Sequence, residues 1–106
     1  MAETVPRTFS ALLKSSSKPV LVDFYADWCG PCRMVSPAIA QIAKELKGKI
    51  TTVKINVDKK PAIAGKYQVQ SIPTIMLFRG SESIMRLQGA LPYERLKAEI
   101  ERALGS

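Results

Sequence analysis

The segment that most constrains the fold is Val20-Leu21-Val22-Asp23-Phe24-Tyr25. It is a nearly continuous apolar run of strand length. Such a run suits a central strand buried on both faces, so the sheet needs covering layers above and below. Asp23 interrupts the run with a carboxyl. Buried there, the carboxyl loses its water, and its affinity for a proton rises. The competing reading is a solvated residue on an exposed edge.

The pattern changes after Tyr25. Ala26 to Gly30 reads as a loop. From Pro31 onward Val35, Ile39, Ile42 and Leu46 recur at spacings of four, three and four, which predicts a helix with one buried face. Pro37 lies inside that helix and predicts a kink. Gly48 is a natural stop. Upstream, Phe9, Leu12 and Leu13 fit one face of a short helix, broken by Ser15-Ser16-Ser17-Lys18-Pro19. Downstream, Val53, Ile55 and Val57 alternate with polar residues, as in a strand with one apolar face. Lys60-Pro61 opens a short helical segment that runs to Tyr67. Thr74 to Arg79 is another strand, Gly80-Ser81 a turn, and Ser83 to Gln88 the returning strand of a hairpin. Gly89-Ala90-Leu91-Pro92 leads to a last helix with Tyr93, Leu96, Ile100 and Leu104 on one face. The order α-β-α-β-α-β-β-α predicts an α/β fold: a central mixed β-sheet flanked by α-helices on both faces. No linker or repeat divides the chain, so residues 1–106 read as one domain.

Charge narrows the partners. Sixteen Lys and Arg against nine Asp and Glu give a net charge of +7. The basic residues are spread along the whole chain, and the longest run is Lys59-Lys60. That dispersion argues against a nucleic-acid groove and for steering toward acidic protein partners. No stretch approaches a membrane span. Met1-Ala2-Glu3-Thr4-Val5-Pro6 has no basic segment followed by an apolar one, so it does not read as a signal peptide. The expectation is a cytoplasmic monomer, or the mature form of a plastid protein.

The chain has two cysteines, both in Cys29-Gly30-Pro31-Cys32, and no histidine. A zinc site needs about four ligands, so a full Cys/His set within one chain is excluded and no metal is expected. The motif sits where a strand gives way to a helix. The first turn of a helix presents unpaired N–H groups and the positive end of the helix dipole, which stabilise a thiolate. Pro31 suits this turn because it has no N–H to leave unpaired. Cys29 precedes the helix and is expected to face outward as the attacking thiol. Cys32, one turn in, is expected to be shielded. Redox chemistry is the favoured reading. The alternatives are a metal shared between two chains, a purely structural disulfide, and a redox-idle binding module.

The residues from Val22 to Cys32, with Asp23-Phe24-Tyr25-Ala26-Asp27-Trp28 leading into the cysteines, closely resemble the thioredoxin active-site segment. The likeness continues through Pro37, Lys54-Ile55-Asn56-Val57-Asp58, Ser71-Ile72-Pro73-Thr74, Phe78-Arg79-Gly80 and Gly89-Ala90, and covers nearly the whole chain. The resemblance implies a single thioredoxin domain and a protein-disulfide reductase. It implies Cys29 as nucleophile, Cys32 as resolving thiol, Asp23 as proton acceptor and Lys54 as its modulator. It further implies that Trp28, Gly30, Pro31, Ile72, Pro73, Gly89 and Ala90 meet the substrate, with Pro73 in the cis form. The redox group is then the Cys29–Cys32 disulfide itself, without a cofactor. The implied partners are disulfide-containing target proteins and a thioredoxin reductase, flavin-based or ferredoxin-linked. Gly30-Pro31 between the cysteines is the dipeptide of the reductants; an oxidase or isomerase is the competing activity. Tyr25 departs from the pattern, standing where many members carry tryptophan, and is read as a packing residue.

Overall fold

The computed structural model describes residues 8–105, and the N-terminal segment read above for targeting lies outside them. Four helices and four strands follow the expected order: α1 Phe9–Ser15, β1 Val20–Tyr25, α2 Gly30–Glu45, β2 Thr51–Asn56, α3 Pro61–Lys66, β3 Thr74–Arg79, β4 Glu82–Gln88 and α4 Tyr93–Gly105. The strands form one sheet in the order β2-β1-β3-β4. β1 and β2 run parallel, joined by the α2 crossover, while β1–β3 and β3–β4 are antiparallel.

Strand alternation assigns each residue to a layer. Val20, Val22 and Phe24 of β1 pack with Met76, Phe78 and Ile55 under α1 and α3, around Phe9 and Leu13. Leu21 turns the other way, joining Ile75, Leu77, Val35, Ile39, Ile42, Leu96 and Ile100 against α2 and α4. Asp23 is two residues from Leu21 and therefore belongs to the α2 side. The α2 stripe is buried as its spacing requires, with Val35, Ile39, Ile42 and Leu46 all inside. α2 continues through Pro37 as one helix. Proline costs it the backbone hydrogen bond that residue 37 would have donated one turn back.

The boundary that matters for the site differs from the sequence expectation. α2 starts at Gly30, so Gly30 and Pro31 both lie in its first turn and Cys29 is the N-cap. The cap is made by sulfur: the Cys32 N–H donates to Cys29 Sγ at 3.1 Å. At the other end the chain leaves α2 through Leu46 and Gly48, whose φ of +91° only glycine adopts at little cost. Beyond β4, Gly89 also has a positive φ, +92°. Its N–H donates to the Pro73 carbonyl at 2.9 Å, which brings the Gly89-Ala90 turn to the start of β3.

Candidate active site

The C-terminal end of β1 feeds the short loop 26–28 and then α2, which places both cysteines just beyond the end of an interior strand. They form a disulfide with Cα atoms 5.3 Å apart. The expectation that Cys29 faces outward does not hold for this bond. Cys29 is 3% exposed and Cys32 4%. The reason is the capping geometry, which turns Cys29 Sγ inward onto the Cys32 N–H and to within 3.9 Å of the Ile72 carbonyl oxygen. Ala26 packs beside both sulfurs, with Tyr25, Val57 and Ile72 at the margin.

Ile72 arrives from the loop before β3. The Ile72–Pro73 peptide is cis, and Pro73 is buried. Gly30, Pro31, Gly89 and Ala90 are exposed and Ile72 half-buried, so the backbone on either side of the sulfurs is open to solvent. Trp28 does not enter the core. It is 69% exposed, and its indole N–H donates to Asp58 Oδ2 at 2.8 Å. Arg33 Nη2 donates to the Asp27 carbonyl at 2.7 Å, so the loop before Cys29 is tethered from α2 as well.

Behind Cys32 lies a cleft of about 190 Å³, lined by Asp23, Tyr25, Ala26, Asp27, Cys32, Arg33, Ser36 and Lys54. Asp23 is 1% exposed, and its Oδ1 has no hydrogen-bond partner among the described residues. Burial pushes its carboxyl up to about 6, partly countered by the Lys54 ammonium. Lys54 sits opposite Asp23 in the β1–β2 register but is itself exposed. Its Nζ lies 3.5 Å from Ser36 Oγ and 4.6 Å from the centre of the Tyr25 ring. Tyr25 therefore does more than pack: its ring faces a cation. Among the described residues no cluster of three or more His, Cys, Asp or Glu could hold a metal, and no helix is long and apolar enough to cross a membrane.

Four residues near the sulfurs escaped the sequence reading. Met34 is 75% exposed, and the signal was available, since it is a large apolar residue off the buried α2 stripe. Asp58 and Ser36 act through contacts across the fold and Arg33 through the loop before Cys29, and no local pattern marks them.

A disulfide capping a helix at the end of an interior strand, with a buried carboxyl behind its second sulfur, can be opened and closed by thiol exchange without any added group. The chain is a thiol–disulfide oxidoreductase whose redox group is its own disulfide. A family model described as Thioredoxin matches residues 1–102. Thioredoxin 1 of Chlorobaculum tepidum is 46% identical over 99 residues, 93% of this chain and 98% of the relative. Thioredoxin 1 of Nostoc sp. is 44% identical over 103 residues, covering 97% and 96%. A protein named Thioredoxin Y2, chloroplastic, of Arabidopsis thaliana is 45% identical over 97 residues, 92% of this chain and 58% of that longer protein. The chain belongs to the thioredoxin family, whose members act as protein-disulfide reductases.

Proposed function

We propose that residues 1–106 form a single domain that reduces disulfides in target proteins by a two-step exchange. Cys29, as thiolate, attacks a substrate sulfur and forms a mixed disulfide; the other substrate sulfur leaves and takes a proton from water. Cys32 then gives its proton to the Asp23 carboxylate and attacks Cys29 Sγ. The second substrate sulfur leaves, two electrons have passed to the substrate, and the Cys29–Cys32 bond is formed. A thioredoxin reductase, flavin-based or ferredoxin-linked, returns two electrons. Trp28, Gly30, Pro31, Ile72, Gly89 and Ala90 receive the substrate chain, and Pro73, which has no N–H, turns the backbone beside them.

One observation carries the assignment of roles. Cys29 is the sulfur that accepts the N–H of the first helical turn, whereas Cys32 lies inside that turn and lines the Asp23 cleft. Stabilisation by N–H groups and the helix dipole therefore favours the Cys29 thiolate, and the carboxylate serves Cys32. Lowering a thiol's pKa from about 8.5 to about 7 gives roughly 16-fold more thiolate at pH 7. Intrinsic nucleophilicity drops about fivefold over the same change, so the net gain in attack is about threefold. Docking and orientation supply the rest.

Limiting iodoacetamide on the reduced protein tests the roles. Cys29 should carry most of the label at pH 7, and preferential labelling of Cys32 would reverse them. The working place is the cytoplasm and the working form a monomer. The chloroplastic relative supports a second reading, a plastid protein. Cell fractionation and sizing decide both points.

A further inference from the structure

On β2, Val53 and Ile55 face the α1/α3 layer, so Lys54 between them faces α2. Its long side chain is exposed, and an unrestrained lysine ammonium favours bulk water. Here it is held on two sides, by the Tyr25 ring at 4.6 Å and by a long contact to Ser36 Oγ at 3.5 Å. Ser36 follows Cys32 by four residues on α2, which puts it on the same side of the helix, and both line the Asp23 cleft. The exchange cycle leaves Ser36 unused.

We propose that Ser36 is a positioning residue: its hydroxyl, with the Tyr25 ring, holds the Lys54 ammonium at the mouth of the cleft shared by Asp23 and Cys32, and so fixes the positive charge beside Asp23. The other titratable or charged residues lining that cleft are Asp27, Tyr25 and Arg33, whose guanidinium is engaged with the Asp27 carbonyl. Cys32 does not titrate while it is in the disulfide. None of these depends on the Ser36 hydroxyl. Without it, hydration draws the ammonium outward, and the buried carboxylate loses the positive charge that opposes its protonation. Asp23 then keeps its proton to higher pH. The consequence for the reaction rests on the reading of Asp23 as proton acceptor: the pH profile of the resolving step should move in the alkaline direction by the same amount.

Carbon-13 carboxyl titration of the oxidised 106-residue chain tests the arrangement. Ser36→Ala keeps a good helix former at the position. It should raise the Asp23 midpoint by roughly half a pH unit, as expected for a partly solvated charge moved away. Ser36→Thr, which restores a hydroxyl, should return the midpoint. Tyr25→Phe, which keeps the ring, should leave it in place. In a Lys54→Gln background Ser36→Ala should add nothing. An unchanged or lowered midpoint in Ser36→Ala, or a shift that persists without Lys54, overturns the proposal. A raised midpoint with an unmoved rate profile upholds the positioning of Lys54 and refutes the proton-acceptor role of Asp23 instead.

Discussion

Asp23→Asn should unfold at a higher temperature than the wild type at pH 7 and resolve mixed disulfides more slowly. Both effects come from the same burial. The carboxyl binds its proton more tightly in the fold, at about 6, than in the unfolded chain, at 3.8. Ionising it therefore opposes folding. The opposition is absent below pH 3.8, grows between there and about 6, and is complete above. That interval corresponds to about 3 kcal/mol, so removing the charge should stabilise the protein by roughly 1–3 kcal/mol after allowing for the buried amide. A rise in Tm of several degrees is expected at pH 7, shrinking to nothing near pH 3.5. The kinetic effect has a different profile. Below about pH 6 the wild-type carboxyl is itself protonated and cannot accept, so the two proteins converge. At high pH Cys32 ionises unaided and they converge again. Between those limits the variant should resolve about tenfold more slowly, with initial attack by Cys29 changed much less. Stopped-flow reduction of a protein disulfide across pH measures both steps. Equal resolving rates at every pH would leave Asp23 a structural residue.

Cys29→Ser should abolish turnover of protein disulfides, by more than about a thousandfold, because a serine hydroxyl has no thiolate to offer and forms no disulfide. The fold should survive. The ring closed by Cys29 and Cys32 spans four residues, and in the chain-entropy view its loss costs about 2 kcal/mol. Each core layer is built from separate elements, and neither depends on the bridge: α2 packs through Val35, Ile39 and Ile42, and α1 through Phe9 and Leu13. Far-ultraviolet circular dichroism should match the wild type while insulin-disulfide reduction falls to background. Retained turnover would place the chemistry elsewhere. A collapsed spectrum would instead make the bridge structural.

The fold was legible where periodicity and burial coincide. β1 and β3 are apolar runs buried on both faces, and their lengths follow from sequence. The 4-3-4 spacing marks the buried stripe of α2, and alternation marks the β2 face that meets α1 and α3. The start of α2 was displaced by one residue because its cap is a cysteine sulfur, which the usual Ser, Thr, Asp and Asn rule does not anticipate. The candidate site was legible in part. The burial of Asp23 follows from its place in an apolar run. The burial of Cys29 does not, since it depends on the bridge and on the Ile72 carbonyl 43 positions away. The outward pose of Trp28 depends on Asp58, 30 residues on. The Lys54 ammonium meets residues of two other elements, and only the parallel β1–β2 register brings them together. Contacts of this kind are set by how layers stack, and a local pattern carries no trace of them.

The central claim is that Cys29 attacks and Cys32 resolves. Cys32→Ser offers the most direct measurement. Without the resolving thiol, the first exchange should stop at the mixed disulfide. The variant, incubated with a disulfide-bonded protein and quenched in acid, should be recovered as a covalent adduct that dithiothreitol releases. Peptide mapping should place the bond on Cys29, and Cys29→Ser under the same conditions should give little adduct. Abundant adduct on Cys32 in the Cys29→Ser protein, with none on Cys29 in the Cys32→Ser protein, would contradict the assignment.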